Sequence, residues 1–245
     1  MEMITHSEPI TPASDVRTLD FENGEILLID KPLDWTSFDV VHRVRDLFHV
    51  KKVGHAGTLD PKATGLLILC TGKKTKSIDD FTGQEKEYEG CMQLGATTAS
   101  FDSETPEQDV KDFLSVTEEQ TQHVFHGFLG KQMQIPPMYS AVKYGGRPLY
   151  KYARRGRTME RQSREIVISR FDLLKMELPL IHFRVVCSKG TYIRAMVDEC
   201  GSKLGCGAYL KELRRTRIGA LSLQQAMHIE DLHILGQRFT AQIGA

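Results

Sequence analysis

The chain has 245 residues, 40% hydrophobic and 26% charged, with 32 Lys/Arg against 32 Asp/Glu. A chain of this length buries roughly 70–75% of its unfolded surface, so it needs neither disulfides nor a structural metal to hold a core. No apolar run approaches ~18 residues, which excludes a membrane-spanning helix, and the zero net charge alone carries no sign of nucleic acid.

Met1 to Asn23 is polar, contains Pro9 and Pro12, and lacks the charged-then-apolar order of a signal peptide. It reads as a loose tail. Glu25 to Asp30 is an apolar run ending at Lys31-Pro32, which predicts a buried strand stopped by proline. Thr36 and Ser37 offer N-caps for a helix with Val40, Val41, Val44, Leu47 and Phe48 on one face. A loop, Lys51 to Gly65, holds Gly54, Gly57, Pro61 and Gly65. Leu66 to Cys70 is a second buried-strand candidate, and Glu87 to Leu94 continues in β fashion.

Thr117-x-x-Gln120 is a capping-box pattern opening a helix through Phe125 and Phe128. Gln134 to Lys143 is too Pro-rich to be regular. Glu165 to Leu178 and Ile181 to Cys187 form a strand pair around Pro179. Gly190-Thr191 leads into a helix with Ala195, Met196, Val197, Cys200 and Leu204. Arg214 to Leu221 reads as a last strand and Ser222 to Leu235 as a closing helix. Strands and helices mix without βαβ alternation, which predicts an α+β fold with a mixed, largely antiparallel sheet flanked by helices and loops. The expected organisation is a tail over 1–23, one domain over 24–235 and a C-terminal tail over 236–245.

Five scattered cysteines (Cys70, Cys91, Cys187, Cys200, Cys206) without a C-x-x-C pair point to reduced thiols in a cytoplasmic protein. Cys70, Cys91 and Cys187 lie in apolar runs and suit core packing. Charge is unevenly spread. Lys143 to Arg170 holds nine Lys/Arg against Glu160 and Glu165, a local charge of +7, whereas Asp102 to Glu119 holds seven acids against Lys111. The basic run, with Arg154 and Arg155 at its centre, suits a phosphate-facing surface; a solvated charged face is its plain alternative.

Cofactor signatures fail on inspection. Thr71-Gly72-Lys73-Lys74-Thr75 resembles the end of a phosphate loop, but Gly65 is too far back and Lys74 replaces Ser/Thr. His123 and His126 lack a third patterned ligand, so no metal site is predicted. What remains is the loop Gly54-His55-Ala56-Gly57-Thr58-Leu59-Asp60-Pro61-Lys62-Ala63-Thr64-Gly65. The proline after Asp60 stiffens the backbone and the glycines allow close approach. Asp60 fits either a turn or a catalytic carboxylate. Tyr192 and Arg194, between a strand and a helix N-terminus, suit a stacking ring and a carboxylate partner. Tyr88, in Lys86-Glu87-Tyr88-Glu89-Gly90, is flat enough for an unstacked base to rest on. Each tyrosine also fits plain core packing.

Taken together and in order, Ile29-Asp30-Lys31-Pro32, the Gly54–Gly65 loop, Lys86–Gly90, Gln134-Ile135-Pro136-Pro137-Met138-Tyr139-Ser140-Ala141-Val142-Lys143, Gly146-Arg147-Pro148-Leu149-Tyr150, Gly190–Arg194 and Leu213-Arg214-Arg215-Thr216 are more specific than any part. The chain resembles the TruB family of bacterial tRNA pseudouridine-55 synthases over about residues 24 to 235. The resemblance implies the pseudouridine synthase fold and the isomerisation of uridine in the T loop of tRNA, without cofactor or metal. The base must first be flipped out of its loop. The resemblance assigns Asp60 as the catalytic carboxylate, Arg194 as the charge that keeps it ionised, and Tyr88 as the ring on the flipped uracil. Tyr192 and Leu213 match pocket-lining positions. His55 matches the residue that fills the space vacated by the base, and Lys31 supports the loops. Whether Asp60 attacks the ribose, attacks the base ring or assists proton loss to a glycal stays open.

Two departures stand out. Lys62 occupies a usually apolar position, and the few residues after Leu235 lead to the expectation that a C-terminal RNA-binding domain is absent. The expected partner is the T-arm of tRNA, bound by a monomer with no membrane and no obligatory protein partner. Three other readings remain: an RNA-folding chaperone that binds tRNA without chemistry, a guide-RNA-directed synthase acting on ribosomal RNA, and a nucleosidase that releases uracil.

Overall fold

A computed structural model describes residues 8–243. The main elements in chain order begin with β1 (Ile26–Lys31), α1 (Ser37–Phe48), β2 (Val53–His55), β3 (Ala63–Thr71) and β4 (Lys86–Leu94). Next come α2 (Glu118–His126), β5 (Gly130–Gln134), β6 (Arg164–Glu177) and β7 (Leu180–Cys187). The last are α3 (Ile193–Leu204), β8 (Ala208–Ile218), β9 (Leu221–Ser222) and α4 (Ile229–Ile243). The chain divides into two compact units, residues 1–86 with 214–245 and residues 87–213, where the sequence pointed to a single domain.

In the first unit the strand order is β1-β3-β8, with β2 against β3 and β9 against β8. β1 and β3 run antiparallel, with Ile26 opposite Cys70 and Lys31 opposite Gly65. The unbroken apolar run of β1 has a simple cause: both faces are covered. Leu27 and Ile29 join Leu67, Leu69, Val40, Val41, Val44, Phe48, Leu232 and Leu235 in one core cluster. Ile26 and Leu28 join Leu66, Ile68, Cys70, Ala56 and Phe81 in another. Period-two alternation therefore sorts one apolar stretch between two cores rather than between core and water.

α1 starts where its cap dictates. Thr36 accepts from the Asp39 backbone N–H and the Asp39 carboxylate accepts from the Thr36 N–H, a complete capping box. Ser37, the other candidate cap, is instead buried and engages the loop described below.

The second unit has the order β8-β4-β7-β6-β5. β6 and β7 pair antiparallel from Ile168 opposite Cys187 to Glu177 opposite Leu180, as the flanks of Pro179 suggest. α2 opens with the expected Thr117–Gln120 capping box. Phe125 stacks on Phe171 at 3.7 Å between ring centroids, and Phe183 meets Phe171 edge-on at 5.5 Å. These rings anchor α2 on the hairpin. All five cysteines are free and buried. Among the described residues no helix is long and apolar enough to cross a membrane.

The structure corrects three expectations. Residues 8–23 are not a loose tail: Ile10 is buried and bridges Leu27, and Phe21 stacks on Phe48 at 4.3 Å. Residues 1–7 lie outside the described residues. The closing helix starts later and ends later than Ser222 to Leu235. A 3-10 turn, Leu223–Gln225, precedes α4, which continues to Ile243. Residues 236–243 are thus helix rather than tail: Phe239 packs on Phe21 and Phe48, and Arg238 donates to the carbonyls of Pro12 and Ser14. Finally, β5 is an additional strand, paired to β6 from Gln134 opposite Arg164 to Gly130 opposite Ile168.

Candidate active site

The loop carrying Asp60 joins β2 to β3 and is gripped from several sides within the first unit. Ser37, 1% exposed, accepts from the Leu59 N–H at 2.9 Å and donates to the Leu59 carbonyl at 3.2 Å. Arg215, also 1% exposed, donates from Nη2 to the Gly57 carbonyl at 3.0 Å and from Nε to the Leu66 carbonyl at 2.7 Å. Asp34 N–H donates to the Pro61 carbonyl at 2.9 Å, and Ala63 N–H to that of Asp60 at 3.0 Å. Asp60 itself is half-buried.

Gly65 shows how tight the grip is. Its φ is +100°, and a Cβ there would lie 2.3 Å from the Arg215 carbonyl oxygen. Only glycine fits, because both the backbone conformation and the space forbid a side chain.

Lys31 is fully buried, and its ammonium donates to the carbonyls of Pro32 (2.8 Å) and Trp35 (2.6 Å). Burial pushes it down to about 8, against the opposing pull of the Asp60, Asp34 and Asp39 carboxylates. Lys31 therefore supports the turn after β1 and feels the charge of Asp60. His55 ends β2. Burial first, and the charge of Arg215 second, hold its imidazole below the usual histidine range. Lys62, unusual by resemblance, pairs with Asp34 at 2.7 Å. Both partners are well exposed, so the pair contributes at most ~1 kcal/mol.

The second unit holds the other candidates. Tyr88 lies on β4 and is 7% exposed. Arg194, in the first turn of α3, is 3% exposed; its Nη1 donates to the Ser100 carbonyl at 3.3 Å and its Nε stands 3.8 Å from an Asp102 carboxylate oxygen. The guanidinium also lies over the Tyr192 ring, 5.5 Å from its centroid. Asp102 is fixed by Ser100 Oγ at 2.6 Å and by the Glu104 N–H at 3.0 Å. Leu213 is half-buried on β8. Arg154 and Arg155 follow a one-turn helix, Leu149–Ala153, in an exposed segment; Arg154 pairs with Glu104 at 3.0 Å.

Lys31, His55 and Asp60 thus belong to the first unit, and Tyr88, Arg154, Arg155, Tyr192, Arg194 and Leu213 to the second. Sequence reasoning gave Ser37 only a capping role and gave none to Asp102, Gln134 or Arg215. Arg215 had a visible signal: an arginine inside a strand must find acceptors for its donors. The others had none, since a serine, an aspartate and a glutamine fit turns and surfaces equally well.

Residues 45–193 match the model of the TruB family pseudouridylate synthase N-terminal domain, and residues 194–240 that of the tRNA pseudouridylate synthase B C-terminal domain. The chain belongs to the TruB family. A C-terminal family domain is therefore matched within the chain by residues that form α3, β8, β9 and most of α4. A tRNA pseudouridine synthase B of Chlorobium chlorochromatii is 50% identical over 213 residues, covering 85% of this chain and 84% of that protein. One from Parabacteroides distasonis is 48% identical over 220 residues, covering 87% and 94%.

Among solved structures, a chain of a Cbf5-Nop10-Gar1 complex superposes with a TM-score of 0.72 at 28% identity. That match covers all of this chain and 63% of the other. A chain of an H/ACA RNP bound to a substrate RNA containing 2'-deoxyuridine gives 0.67 at 26% identity, covering 92% and 56%. The family's α+β fold, with a mostly antiparallel sheet flanked by helices, is the fold of this chain.

Proposed function

We propose that this protein isomerises uridine to pseudouridine in tRNA, at position 55 of the T loop, with Asp60 as the catalytic carboxylate. The observation that carries the reading is the gripped Asp60 loop in a member of this family. Ser37 and Arg215 hold the backbone before one half-buried carboxylate, and the Asp34 N–H, with a longer Lys31 contact at 3.5 Å, holds the Pro61 carbonyl directly after it. Preorganisation of this kind lets a single group act without reorganising as charge develops.

The reaction needs no imported group. The N1–C1′ bond of the nucleotide breaks, the uracil turns, C5 bonds to C1′, the C5 proton leaves and N1 gains one. A base inside a folded loop must be extruded first, at a cost of a few kcal/mol. In this reading Tyr88 and Tyr192 supply flat rings and Leu213 an apolar wall for the uracil, while Arg194 supplies a fixed positive charge. His55 fills the vacated space in the RNA, and Arg154 and Arg155 meet phosphates.

The test is incubation of purified protein with an unmodified tRNA transcript, followed by nucleoside analysis. Wild type should form pseudouridine at position 55 without releasing uracil. Asp60→Asn should abolish the isomerisation while keeping tRNA affinity within a few-fold. Near-normal turnover by Asp60→Asn would remove the carboxylate from this role, and free uracil would mean a nucleosidase.

A further inference from the structure

Phe38 sits in the first turn of α1 with 64% of its surface exposed, while Val40, Val41, Val44 and Phe48 of the same helix are buried. Leaving so large an apolar side chain in water forgoes about 25 cal/mol for every Å² that burial would remove. Its ring is nevertheless not loose. It meets the His55 ring edge-on, with centroids 5.7 Å apart and planes at 89°. The aromatic pair stands at the end of β2, five residues before Asp60 in the gripped loop.

Four further observations describe the chemistry of this surface. His55 is kept below the usual histidine range, so at neutral pH the ring carries no charge. Its Nδ1 is buried without a hydrogen-bond partner, which leaves the imidazole acting as a flat ring rather than a polar tether. Lys51 and Lys52, directly before β2, are exposed cations suited to a phosphate chain. The neighbouring Asp39 carboxylate is exposed and stays ionised, held by the Thr36 cap. A neutral pair of rings at the end of a strand that two lysines precede fits an unpaired nucleobase, since every base offers a π-face.

We propose that Phe38 is an RNA-contacting residue whose exposed ring, braced edge-on by His55, stacks on an unpaired base of the substrate loop. This rests on the reading that the Asp60 loop meets RNA. It adds a residue to the binding surface and a source of affinity that is specific for single-stranded bases.

The experiment compares wild type with Phe38→Leu, Phe38→Ala and Phe38→Trp. The probe is a T-arm hairpin carrying 2-aminopurine at each unpaired purine position in turn. Leu keeps an apolar side chain and removes only the flat ring. Phe38→Leu and Phe38→Ala should raise Kd about tenfold, within the range found when a stacking ring is removed. They should also abolish the fluorescence quenching seen at one loop position in wild type, while Phe38→Trp keeps both. Melting temperatures should stay within about 2 °C of wild type, as for other exposed substitutions. A Kd within twofold for Phe38→Leu with unchanged quenching would overturn the proposal. So would a lowered melting temperature with unchanged Kd, which would make Phe38 only a cover for His55. Asp60→Asn on the same hairpin keeps the two readings apart: its turnover tests the catalytic assignment, whereas the Phe38 series tests binding alone.

Discussion

Gln134 holds Tyr192 by both ends of its backbone: the side-chain carbonyl accepts from the Tyr192 N–H at 2.8 Å, and the side-chain amide donates to the Tyr192 carbonyl at 3.1 Å. Gln134 closes β5 and is 8% exposed, and Tyr192 is the N-cap of α3, whose own side chain makes no capping bond. One strand end thus sets the entry of the helix that carries Arg194.

Replacing Gln134 should therefore disturb geometry more than binding. Gln134→Ala removes the partner of the Tyr192 N–H, at a cost of roughly 1–3 kcal/mol, whereas the Tyr192 carbonyl keeps the Met196 N–H at 3.2 Å. Gln134→Glu keeps the acceptor but turns a second carboxylate oxygen toward the Tyr192 carbonyl. Both variants should lower the single-turnover rate at saturating tRNA by about 10- to 100-fold with Kd changed less than threefold, as small displacements of positioned groups do. Denaturation measured alongside decides the matter: lost stability with a normal rate would make the contact purely structural.

Arg194 and Asp102 form a buried ion pair, 3% and 5% exposed. Removing either partner breaks a buried contact between opposite charges, so Arg194→Ala and Asp102→Asn should each destabilise the fold, by up to about 3–5 kcal/mol. The rate should separate them further. Arg194→Ala should reduce isomerisation by about 10²-fold or more, the usual scale for a preorganised electrostatic group. A double-mutant cycle should show coupling of at least ~1 kcal/mol; additive effects would mean the two residues act independently.

The exposed basic segment should act on binding alone. Neutralising Arg154, Arg155 and Arg157 should weaken tRNA affinity and flatten its dependence on log salt by roughly 0.7–0.9 per lost phosphate contact. Arg154 is already paired with Glu104, so it should contribute least. The single-turnover rate at saturating RNA should stay within about twofold. An unchanged salt slope would identify the run as a solvated face.

Asp198 gives a pH test away from the site. Burial, with Glu199 second, raises its carboxyl from 3.8 to about 6. A raised folded-state value means that the stability tied to this group is full below 3.8 and lost as pH rises through about 6. Asp198→Asn should therefore stabilise the protein at pH 7.5 by about 1–2 kcal/mol, discounted for partial contact with solvent, and leave it unchanged near pH 3.8. Chemical denaturation at both pH values measures this, and an equal effect at both would show that charge is not the cause.

Local chemistry was legible in the residues themselves. The N-cap at Thr36, the capping box at Thr117, the buried strand before Pro32, the hairpin around Pro179 and the helix after Gly190 each follow from interactions spanning a few positions. The Asp60 loop was legible in the same way, through a stiff proline and glycines. Tertiary structure alone decided what grips that loop and what anchors Tyr192. The Arg215–Leu66 bond spans 149 residues and the Gln134–Tyr192 bonds span 58, so neither leaves a trace in local pattern. It also decided the segments around Ile10, Phe21 and Phe239, which pack against β1, α1 and one another where polar composition reads as tail. Short-range propensities set elements because they close few bonds of the chain. The partners of a lone serine, glutamine or buried arginine are set by which distant segments the packed core brings to them.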